Sequence, residues 1–111
     1  MSEMIRHRVR EFALGLPEAY EDFPWGDTVI KVNKKIFVFL GESGYGVKLP
    51  QSHGHALSLP GSEPSGYGLG KAGWVSVVYA DVPDVEVLCD WVEESYRSIA
   101  PKRLVKLLET P

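Results

Sequence analysis

The 111-residue chain reads as a single α+β domain covering residues 1–111: a two-layer sandwich in which an antiparallel sheet carries the N- and C-terminal helices on one face. Three observations predict this class. Helical periodicity is confined to the two ends, β-branched and aromatic runs fill the middle, and the connections between those runs are too short for parallel crossovers. Length and composition allow one core, and the 44% hydrophobic and 11% aromatic content supplies apolar area without disulfides or a structural metal.

At the N-terminus, Ile5, Val9, Phe12, Ala13 and Leu16 recur at helical spacing, which predicts a helix over residues 3–15 that Pro17 stops. The acidic segment PEAYEDFPWGD then reads as an extended connector whose Tyr20, Phe23 and Trp25 pin it to the core. From Thr28 the runs TVIKV, KIFVFL and YGVKL, separated by the turns NK and GESG, predict a three-stranded meander. PQSHGHALSL has room for one or two helical turns. Residues 60–73, rich in Gly and Pro, read as a long surface loop with a short extended piece near Tyr67 to Lys71. WVSVVYA is a strand, and Asp84 caps a helix with Val85, Leu88, Val92, Tyr96 and Ile99 on one face. After Pro101, KRLVKLLE forms a shorter helix with Leu104, Leu107 and Leu108 inward. Strand register stays open, because a slip of one residue decides which of Phe37 and Val38 faces the core.

Charge is distributed unevenly. The formal net charge is −3, which alone disfavours a polyanionic partner. Yet residues 1–27 hold three basic and six acidic side chains, residues 28–80 five and two, and residues 81–111 four and seven. The strand region is therefore basic between acidic ends, and a local field steers a polyanion more than the total charge does. Its lysines are Lys31, Lys34, Lys35, Lys48 and Lys71, with Lys34 and Lys35 at a hairpin tip that presents them to phosphate. The competing role for such lysines is to blunt sheet edges and maintain solubility. Trp74, Tyr67 and Tyr45 lie near them in sequence and are candidates for stacking on unpaired bases or a planar anion.

Other chemistries find little support. GLGKAG, with Gly68, Gly70 and Gly73, matches G-x-G-x-x-G but follows a proline-rich loop and precedes a strand. A dinucleotide fingerprint needs a strand before it and a helix after it, so these glycines read as a permissive turn, with a generic anion contact at Lys71. His53 and His55 form H-x-H without nearby partners to complete a metal site, and no cofactor is expected. Glu21 is the best single acid, and a structural role suits it better than catalysis; the serines lack a nucleophile elbow. The lone Cys89 points to a reducing, cytoplasmic setting, and no stretch suits a signal peptide or a membrane span.

Several blocks agree together with one family. LPEAYEDFPWG, VIKVNKKIFVFL, VKLP, GYGLGKAGWVSV and WVEESYRSI, spread over residues 12–108, resemble the MmcQ/YjbR-like family of small bacterial domains. The resemblance implies a frataxin-type (CyaY-like) α+β sandwich, described as a double-wing DNA-binding fold. It also implies roles for Lys31, Lys48, Lys71 and Trp74, which match the family's recurring positions. One departure is the short segment QSHGHALSLPGSEPS, where many relatives carry a longer helix.

The expectation is therefore a monomeric, non-enzymatic, non-sequence-specific DNA-binding protein using Lys31, Lys34, Lys35, Lys48, Lys71 and Trp74. The alternative is a module that binds a small anionic ligand through Tyr67, Lys71 and Trp74, or binds a protein partner.

Overall fold

The structure is a computed structural model, and it describes residues 2–59, 62–64, 73–82 and 84–109, with the side chains of Ser2 and Trp25 outside that set. The sequence expectations for Tyr67, Lys71, the extended piece between them and the Trp25 anchor lie outside the described residues. In chain order the elements are α1 (Ser2–Leu14), β1 (Tyr20–Asp22), β2 (Val29–Val32), β3 (Lys35–Leu40), β4 (Gly44–Lys48), α2 (His53–Leu57), β5 (Glu63–Pro64), β6 (Trp74–Val78), α3 (Val85–Ile99) and α4 (Lys102–Glu109). Single 3-10 turns follow β1 at Pro24–Gly26 and β6 at Tyr79–Asp81. The strands form one antiparallel sheet in the order β1-β2-β3-β4-β6-β5. This is the α+β arrangement that the sequence predicts.

Pairing register and burial assign the faces. Val38, Val47 and Val75 lie opposite one another across three strands, as do Leu40, Tyr45 and Val77, and all six are buried in the core. Their face meets the helices: Val9 and Ala13 of α1, Leu88, Trp91, Val92 and Tyr96 of α3, Ala56 of α2 and Leu104 of α4 join the same apolar cluster. The Asp84 side chain accepts the Glu86 N–H at 2.9 Å and caps α3 as its position predicts. Three buried tyrosines stitch the layers: Tyr45 donates to the Leu88 carbonyl (2.8 Å), Tyr79 to the Gly41 carbonyl (2.9 Å) and Tyr96 to the Pro17 carbonyl (2.7 Å). Burial pushes all three phenol pKa values up, which keeps them protonated as donors.

A bulge answers the register question. Ile30 pairs with Val38 and Lys31 with Ile36, so Phe37 is an extra residue without a partner on β2. At such a bulge the alternation breaks locally. Both Phe37 and Val38 are consequently buried, and Phe37 meets Tyr96 edge-to-face at 5.3 Å. The fully buried Ser95 hydroxyl closes the gap, donating to the Phe37 carbonyl (2.6 Å) and accepting the Lys48 N–H (2.9 Å).

Some sequence expectations need correction. The connector contains a true edge strand, β1, because its backbone pairs with β2. Tyr20 and Phe23 are not core anchors: they are 40% and 59% exposed. Leu107 points outward at 56% exposure, since the short α4 buries only Leu104 fully and packs Leu108 in part. Gly73 has φ +94° and leads into β6, a strand where a dinucleotide loop would open a helix.

Candidate nucleic-acid interface

The turn between β2 and β3 fixes one end of the sheet, hereafter the turn end. Only Asn33 and Lys34 separate the strands, and both have left-handed φ, 51° and 67°. Positive φ at both central residues is the signature of a type I′ hairpin, whose twist suits the flanking strands. Asn tolerates the left-handed region, whereas Lys is held there at a cost. Lys34 and Lys35 are exposed at the tip.

β4 runs toward the same end and finishes at Lys48, and β6 starts there at Trp74, its direct cross-strand partner. The register then defines a row across the face away from the helices: Tyr20 on β1, Lys31 on β2 and Ile36 on β3 in direct pairing, and beyond the bulge Lys48 on β4 and Trp74 on β6. At about 4.8 Å per strand this row spans roughly 19 Å. The Lys48 stem runs beside Gly73, where an added Cβ would stand 3.9 Å from its Cγ. Among the described residues Lys34, Lys35 and Lys48 make no ion pair.

The comparisons with known proteins bear on the family and the fold. The YjbR family model matches residues 14–98. The chain belongs to the YjbR family. A crystal structure of the Deinococcus radiodurans protein DR2400, a DUF419 domain, is similar with a TM-score of 0.68 and 24% identity, over 95% of this chain and 88% of that one. That likeness speaks for the fold. A search of the curated proteins returned no match.

In this YjbR domain the other sequence-predicted residues are placed as follows. Lys31 lies on the open face, but its Nζ donates to the Asp22 carboxylate at 2.7 Å and its side chain is only 21% exposed. Trp74 is 8% exposed and meets Phe39 edge-to-face at 5.2 Å, while the Phe39 ring would stand 3.5 Å from a Cβ at Gly46. Its ring therefore packs the sheet surface and offers little area for stacking. Tyr45, a stacking candidate in sequence, points to the opposite face and is buried against α3, because it pairs with Leu40 and Val77.

The three acids of EAYED are all engaged, each by a cation from a different element. Arg10 of α1 grips Glu21 with two bonds of 2.7 and 2.8 Å, Lys31 of β2 holds Asp22, and Arg103 of α4 holds Glu18 at 2.9 Å. These hydrogen bonds hold all three carboxyl pKa values below the usual carboxylate range. Glu21 is thereby a fastener of the edge strand to α1. His53 and His55 sit on α2, with His55 against the edge of Trp91 at 6.0 Å. No group of three or more His, Cys, Asp or Glu able to hold a metal occurs among the described residues. Cys89 is buried, and burial raises its thiol pKa, which disfavours the nucleophilic thiolate. Among the described residues no helix is long and apolar enough to cross a membrane.

Sequence reasoning missed Tyr20 as a surface residue. Its exposure follows from the pairing of β1 with β2, and a three-residue strand between two prolines carries almost no periodic signal. Ser95 was equally silent, since its role depends on a bulge far away in sequence.

Proposed function

We propose that this YjbR domain binds nucleic acid, DNA in the first instance, without sequence preference, through the turn end of its sheet. The observation that carries this reading is the contrast among its cations. Lys31, Arg10, Arg97 and Arg103 are each held by a carboxylate. Of the cations without an ion pair among the described residues, Arg6 and Arg8 lie on α1 and Lys102 opens α4, whereas Lys34, Lys35 and Lys48 sit together at the turn end of the sheet. Unpaired lysines on a hairpin tip and an adjoining strand end suit phosphate contacts, which position a protein on nucleic acid and carry no base information.

The helical layer supports contact from the strand side. The exposed positions of α3 include Glu86 and Asp90, which repel phosphate, and α3 presents no Arg, Asn or Gln array to read base edges. The domain works as a cytoplasmic binding protein without a catalytic step, consistent with its ion-paired carboxylates and its buried thiol. The alternative of a planar anionic ligand needs an open ring at Trp74, and that ring is 8% exposed.

The test is fluorescence anisotropy of labelled DNA across a salt series, comparing wild type with Lys34→Ala/Lys35→Ala/Lys48→Ala. Binding by the wild type should weaken with salt, and the variant should bind more weakly with a slope smaller by roughly 2–3 in log K against log salt. Absence of binding at low salt, or an unchanged slope in the variant, contradicts the proposal.

A further inference from the structure

Resting on the nucleic-acid reading above, we infer that the ligand is a single strand laid across the open face of the sheet, with Tyr20 stacking on a base. The row across that face alternates chemistry: an exposed aromatic at Tyr20, the neutralised pair Lys31 and Asp22, the apolar Ile36, then Lys48 beside Trp74. Lys34 and Lys35 project at the adjacent tip. Tyr20 belongs to the edge strand and is 40% exposed. Among the described residues it makes neither a ring contact nor a side-chain hydrogen bond, and its phenol acts electrostatically on the neighbouring Lys31.

Magnitudes favour a single strand over a duplex. Among the described residues, three unpaired lysines gather at the turn end of a chain of net charge −3, short of the roughly 6–10 phosphate contacts that give duplex binders their strong salt-dependent affinity. The missing energy has to come from another source. Stacking a base on an exposed aromatic supplies it, and only unpaired bases offer a free face. The face also suits a flexible strand: it is a sheet surface about five strands wide, with lysines along one end to follow the phosphates.

The experiment compares a labelled oligo-dT with a duplex of equal length, for wild type, Tyr20→Ala, Tyr20→Thr and Tyr20→Phe. Thr keeps the strand preference of a β-branched residue while removing the ring, which separates loss of stacking from loss of β1. Wild type should bind the single strand at least roughly tenfold more tightly than the duplex. Tyr20→Ala and Tyr20→Thr should lose roughly 5- to 100-fold in single-strand affinity with the salt slope unchanged, and Tyr20→Phe should keep wild-type affinity. Equal or tighter duplex binding that still depends on the lysines overturns this inference and leaves the nucleic-acid reading standing. Full single-strand affinity in both ringless variants overturns it as well. Binding of neither probe removes the reading and the inference together.

Discussion

Lys34 occupies a backbone position that lysine does not favour. Its φ of 67° is the conformation for which glycine is the usual occupant of a type I′ turn, so its side chain is retained against local preference. Lys34→Gly should therefore stabilise the domain by about 1 kcal/mol, visible as a rise of roughly 4 °C in thermal midpoint, while weakening nucleic-acid binding. A gain in stability with unchanged affinity would mark Lys34 as a solubilising residue only. Ser95 works in the opposite sense. Its hydroxyl serves both the Phe37 carbonyl and the Lys48 N–H, so Ser95→Ala strands two backbone groups and should cost about 1–3 kcal/mol by denaturant titration. Neither residue was legible as special in the sequence: NK reads as a turn without its φ values, and a serine inside an apolar helical stripe reads as a neutral filler.

At the scale of elements, the long periodic segments were legible and the short ones were not. α1, α3 and β3 follow from periodicity because each buries a whole face, whereas β1 exists through its pairing with β2 and its ion pairs. That dependence has a pH signature. Arg10 lowers the Glu21 pKa in the folded state, so the pair stabilises the fold above the unfolded-state carboxyl pKa of about 4.3, and the contribution fades as pH falls through the lower folded value. Glu21→Gln should flatten the acid limb of the stability profile measured by chemical denaturation from neutral pH downward. An acid limb identical to wild type would show that the pair does not couple β1 to α1. The bulge is the other illegible feature, since it places two consecutive residues, Phe37 and Val38, in one core where strand alternation allows one.

At the scale of the molecule, the fold biases charge between the two ends of the sheet, although Arg6 lies at the more acidic end and the Glu94 carboxylate, accepting from the Gln51 and Ser52 N–H groups, lies beside the lysine end. Lys34, Lys35 and Lys48 gather at the turn end. The opposite end collects acids from separate segments: Glu42 lies in the β3–β4 turn, Asp81 follows β6, and Asp84 and Glu86 open α3. The bond from Arg6 to the Gly41 carbonyl (3.2 Å) brings the start of α1, with Glu3, to that same end. The basic middle and acidic ends were legible in the sequence, but their separation in space depends on strand direction and on the packing of α1. Such a distribution orients an approaching polyanion although the whole chain is acidic. The most direct measurement is a ¹H–¹⁵N chemical-shift titration of the labelled domain with oligo-dT at low salt. Perturbations should centre on Tyr20, Lys31, Asn33 to Ile36, Lys48 and Trp74, leaving Glu3, Glu42 and Asp81 to Asp90 quiet. Shifts centred on the acidic end or the outer face of α3, or none at saturating oligonucleotide, would contradict a nucleic-acid site at the turn end.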